Sequence, residues 1–125
     1  MKGDTSALLA VRPGPLLDAL RALMSTIARI ETVQEAWDSP SMLDMVTQYQ
    51  PALVLLEAGL QGGGGWSEIE RIRAIRPHIR CLVLADTCQE KRAAKAAHAD
   101  AVLPKGLPPA QLVEAIERSL VGPGR

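Results

Sequence analysis

The chain has no phenylalanine, two tryptophans and one tyrosine in 125 residues. With Trp37, Trp66 and Tyr49 as its only aromatic side chains, it lacks the stacking surfaces that hold single-stranded nucleic acid. It also lacks charge of one sign: fourteen basic residues balance fourteen acidic ones, for a formal net charge of zero. No overall field therefore draws it to nucleic acid or to an anionic membrane. Apolar runs stop far short of a membrane span, and the start MKGDTSALLAV has neither the long apolar core nor the small-residue cleavage site of a signal peptide. A cytoplasmic location is expected. Cys81 and Cys88 are too few and too close for a disulfide framework, are not spaced as Cys-x-x-Cys, and read as free thiols.

What is present fits one domain: 47% apolar residues are enough for a real core. Short apolar runs alternate with helical patterns. Strands are expected over residues 6–11 (SALLAV), 29–34 (RIETVQ), 52–56 (ALVLL), 80–85 (RCLVLA) and 100–103 (DAVL). The third and fourth have no polar face, as suits strands covered on both sides of a parallel sheet, whereas the second alternates and belongs nearer an edge. Between them, Leu16, Leu20, Leu23 and Ile27 mark a first helix, with Leu17 and Met24 beside that stripe. Ser39-Pro40 opens a second, with Met42, Met45 or Val46, and Tyr49 inward. Trp66-Ser67 opens a third, with Ile69, Ile72 and Ile75 inward and Pro77 as its stop. Asp86-Thr87 caps a fourth, whose alanines at 93, 94, 96 and 97 favour helix but offer a thin apolar surface. His98 falls where the chain must turn back, a place that usually takes a left-handed glycine. Pro108-Pro109 opens a fifth helix, with Leu112, Val113, Ile116 and Leu120 inward. Five strands and five helices joined by short loops predict a doubly wound parallel sheet with right-handed crossovers.

In such sheets the chemistry lies just beyond the carboxyl ends of the central strands. The third strand ends in one carboxylate, Glu57, followed by four glycines at 62–65. No Gly-Lys-Ser/Thr follows them, so phosphate cradling is weakly supported and a flexible turn is the plainer reading. Arg71, Arg73, Arg76 and Arg80 read as a solvated basic face, and His78 and His98 have no ligand spacing to either cysteine. No metal or cofactor is expected.

The segment PALVLLEAGLQGGGGW resembles the third strand and loop of response regulator receiver domains, the CheY-like fold. AAHADAVLPKG resembles their fourth helix, fifth strand and lysine, and LLAVRPGPLLDALRAL their first strand and helix. The resemblance implies a flavodoxin-like, five-stranded parallel sheet of order 2-1-3-4-5. It assigns residues 1–121 to the domain and 122–125 to a short tail that reads like the start of a linker. It also implies what a working member needs: an acidic pair holding Mg²⁺, an acceptor aspartate, a serine or threonine ending the fourth strand, and an aromatic switch in the fifth. The matching positions are Val11 and Arg12, Glu57, Ala85 and Val102; of the expected residues only the lysine, Lys105, is in place. An isopropyl group and a guanidinium offer no oxygen to Mg²⁺, and the extra methylene of Glu57 displaces its carboxylate.

The chain therefore resembles an atypical, or pseudo-, receiver that has given up phosphorylation and is not an enzyme. On that fold Arg12, Glu57 and Lys105 meet at neighbouring strand ends, where two cations would hold the carboxylate ionised as a stand-in for aspartyl phosphate. The plainer alternative is an ordinary ion-pair network. Partners are expected to be proteins, a second copy of the chain among them, met through the fourth helix, fifth strand and fifth helix. Two other functions stay open: sensing of a small molecule in a pocket ringed by Arg12, Glu57, Asp86 and Lys105, and residual phosphate acceptance by Glu57 or Asp86.

Overall fold

Strand β3 (Leu53–Glu57) shows why an uninterrupted apolar run forms a strand here. Successive side chains alternate between the two faces of a sheet, and both faces are covered. Val54 and Leu56 pack into one core layer, Leu53 and Leu55 into the other, all four 3% exposed or less. The same division runs through β1 (Thr5–Ala10) and β4 (Arg80–Ala85). In this computed structural model, which describes residues 5–60 and 67–121, β2 (Ile30–Ala36) and β5 (Ala101–Pro104) complete one sheet. Its strands are parallel and ordered β2-β1-β3-β4-β5. The expected order is the observed one, with β2 on an edge.

Helices α1 (Pro15–Met24) and α5 (Pro109–Val121) cover one face through Leu17, Leu20, Met24, Leu112 and Ile116. Helices α2 (Ser39–Tyr49), α3 (Ser67–Ile75) and α4 (Cys88–Ala96) cover the other through Met42, Val46, Ile69, Ile72 and Ala94. Helix α4 buries only Ala94 within its own span, the thin contact expected of its composition. His98 takes φ 69°, and the turn around it is a Schellman cap. His98 N–H donates to Lys95 O at 3.0 Å, and Ala99 N–H to Ala94 O at 3.1 Å.

Several local expectations need correction. The strands other than β4 are displaced by one or two residues, and β2 runs to Ala36. The buried stripe of α1 is Leu17, Leu20 and Met24, with Leu16 and Leu23 half-buried. Ile75 is 40% exposed, because steps of three residues lag a 3.6-residue turn by about 60° each and carry it about 120° from Ile69. Tyr49, the last residue of α2, is 50% exposed, which keeps its hydroxyl in water. The cap of α2 is Asp38 rather than Ser39; its carboxylate accepts from Ser41 N–H at 2.8 Å, and Ser39 is buried inside the first turn. The expectations about Trp66, the glycines at 62–65 and the tail at 122–125 lie outside the described residues.

Candidate functional site

The carboxyl ends of the sheet bring three charged side chains together. Strand β3 ends in Glu57, whose residue is 5% exposed, and the chain turns sharply beyond it at Gly59, with φ 86°, where a side chain would be strained. Next to it, β1 is prolonged by Val11, whose N–H donates to Ala36 O at 3.1 Å and whose side chain is fully buried against α1 and α5. Arg12 follows and is directed at Glu57. On the other side, β4 ends in the fully buried methyl group of Ala85. Lys105, just past β5, reaches across that strand end to the same carboxylate.

Both oxygens of Glu57 are occupied twice. Oε1 accepts from Arg12 backbone N–H at 2.9 Å and from Arg12 Nε at 3.3 Å. Oε2 accepts from Arg12 Nη2 at 2.9 Å and from Lys105 Nζ at 3.0 Å. A forked guanidinium with a third and a fourth donor is among the strongest ways to hold a carboxylate. Burial by itself would raise the Glu57 pKa; the bonds from the Arg12 side chain and backbone and from Lys105 outweigh it and hold the pKa at about 2, below the ordinary 4.5. The bond to Glu57 raises the Arg12 pKa in turn. Lys105 also lies 3.4 Å from Asp86, a carboxylate that is 60% exposed. The four side chains read as a pocket ring thus pair with one another. Val102, opposite Val83 in the register, packs partly buried against the α2–α3–α4 layer.

Sequence reasoning missed three parts of this architecture. The backbone N–H of Arg12 is a donor to Glu57, which no residue type announces. Glu90 accepts from Asp86 N–H at 2.8 Å and Thr87 N–H at 3.2 Å, while Thr87 Oγ1 accepts from Glu90 N–H at 3.0 Å. This capping box fixes the turn beside the site; the Thr-x-x-Glu spacing was its signal. The arginines read as a solvated face are in part engaged: Arg73 donates to Asp100 Oδ2 at 2.8 Å and to His98 O at 2.9 Å, and Arg76 to Gln50 at 2.7 Å. Burial pushes the Cys81 thiol up to about 12, whereas Cys88 is exposed.

Five parallel strands in this order, with a carboxylate and a lysine meeting at their carboxyl ends, fit a receiver fold. Residues 15–117 match the response regulator receiver domain family, and the chain belongs to that family. It is a signalling module of the two-component type. Among solved structures, it resembles a LuxR-family DNA-binding response regulator from Staphylococcus aureus, with 20% identity, TM-score 0.82, and 92% of this chain and 98% of that one covered. It is similar also to a LuxR-family two-component response regulator from Aurantimonas sp. SI85-9A1, with 26% identity, TM-score 0.81, and 95% and 87% covered. A CheY-like receiver domain protein from Methanospirillum hungatei JF-1 has 20% identity, TM-score 0.81, and 94% and 95% covered. No curated protein sequence matches.

The residues at this site do not fit the Mg²⁺ that a phosphorylatable receiver uses. Val11 contributes a buried alkyl group, Arg12 brings a cation of its own, and every oxygen of Glu57 is taken by nitrogen donors. Mg²⁺ demands near-octahedral oxygen ligands. Among the described residues no three His, Cys, Asp or Glu side chains are grouped to hold a metal ion, and no helix is long and apolar enough to cross a membrane.

Proposed function

We propose that this domain, residues 1–121, is a phosphorylation-independent pseudo-receiver that works in the cytoplasm through protein–protein contacts and carries out no catalysis. Glu57 serves as a permanent anion in place of a phosphorylated acceptor, and Arg12 serves as the fixed cation that stands in for a metal. The observation that carries this reading is the closed set of bonds on Glu57, with two donors on each oxygen. A carboxylate held in this way is a poor nucleophile toward a phosphoryl donor, because attack would first have to break those bonds. The absence of a hydroxyl at Ala85 and of an aromatic ring at Val102 supports the same reading.

The contact surface is α4, β5 and α5, and its partner is a second copy of the chain or another protein. Helix α4 leaves most of its alanine-rich surface uncommitted to the core, which permits close approach. Incubation with Mg²⁺ and beryllofluoride, followed by backbone NMR, tests the central point. The expected result is no change at Glu57, Ala85 or Lys105; a saturable, Mg²⁺-dependent change at these residues would overturn it.

A further inference from the structure

At the opposite end of the sheet the surface is indented. Helix α5 runs back across the sheet, so its later turns lie over the beginnings of β4 and β5. There it presents Ala115 and Ser119, one turn apart and small. Between these residues and the β5 side chains Ala101 and Leu103 lies an open cavity of about 300 Å³. That volume is at the lower end for small-molecule sites and holds about ten water-sized groups.

Arg80 and Arg118 are among its lining residues, with side chains 32% and 71% exposed. Each is only loosely paired with a carboxylate among the described residues. Arg80 Nη1 is 3.7 Å from Asp100 Oδ1, and Arg118 Nη2 is 3.5 Å from Glu114 Oε2. Both distances exceed the 2.7–3.2 Å typical of an N–H···O hydrogen bond. Asp100, the carboxylate in the cavity wall, is already engaged through Oδ2, which accepts from Arg73 at 2.8 Å and from Cys81 N–H at 2.7 Å. The cavity therefore combines an apolar wall with two cations that have donors to spare, the arrangement that suits forked recognition of a carboxylate.

We infer that the cavity between β5 and α5 binds a small carboxylate with a short apolar tail, its head on Arg80 and Arg118 and its tail against Ala101, Leu103 and Ala115. This second site is independent of the state of Glu57 at the far end of the sheet.

The test is an NMR titration of the whole chain with sodium hexanoate, with hexanamide and sodium chloride at matched ionic strength as controls. Saturable shifts are expected at the Ala101, Leu103 and Ala115 methyls and the Arg80 and Arg118 Nε–H groups, with hexanamide at least about tenfold weaker. The double variant R80Q/R118Q should weaken hexanoate binding by at least about tenfold. S119L, which fills the space and leaves both arginines, should abolish binding while keeping a folded amide spectrum. Absence of saturable shifts, equal response to hexanamide, or undiminished binding in either folded variant overturns the inference.

Discussion

Glu57 is the residue on which pH acts most directly. Its pKa is about 2 in the folded chain and 4.5 ordinarily, so the folded state holds the proton less tightly than the unfolded one. The stability this contributes is fully present above about pH 5, and it is lost as the pH falls through 4.5 toward 2. The pKa difference corresponds to at most about 3 kcal/mol. Urea unfolding followed between pH 7 and pH 2 should show that loss, and E57Q should flatten it. At pH 7 the same variant should be about 2 kcal/mol less stable, since Lys105, 17% exposed, loses its nearer anion and keeps only the exposed Asp86 at 3.4 Å, while Arg12, half exposed, recovers some hydration. A second residue runs the other way. His98 sits at φ 69°, where a Cβ is costly and glycine is not, and its contact with Arg73 is made by its backbone oxygen. H98G should therefore raise stability by about 0.5 kcal/mol in chemical denaturation.

Among the elements, α4 is held more by its ends than by its side. Its span buries Ala94 alone, while a capping box closes its start and a Schellman turn its finish. Removing the Thr87 hydroxyl should therefore matter more than its exposed position suggests. T87A should cost about 1 kcal/mol in urea unfolding and speed amide hydrogen exchange through the first turn of α4. The cap also ties this helix to the charged cluster, because Glu90 holds the Asp86 and Thr87 N–H groups and Asp86 faces Lys105. Bonds from Asp86 N–H and then Thr87 N–H keep the Glu90 pKa below its ordinary value, so the cap remains a charged acceptor at neutral pH.

For the whole molecule, the two ends of the sheet are separately equipped. The carboxyl end is closed around Glu57, and the amino end carries the cavity between β5 and α5. On the reading that the chain signals by association, gel filtration with light scattering should show a dimer as the concentration rises into the hundred-micromolar range; a strict monomer throughout would count against the α4–β5–α5 surface.

Much of this was legible in one dimension. The third and fourth apolar runs suit strands covered on both faces, and five strands alternating with helical spacing predict a doubly wound parallel sheet, while the strand order came from the family resemblance. The left-handed turn at His98 followed from the pattern as well, whereas the meeting of Arg12, Glu57 and Lys105 followed only from the fold that the family resemblance implies. What spacing did not decide was which side chains meet across space. Arg12 and Lys105 lie 45 and 48 positions from Glu57, and only the folded sheet brings four donors onto one carboxylate. The exposure of Tyr49, and the gap that Ala115 and Ser119 leave above β5, also depend on where neighbouring elements end, which local pattern does not encode.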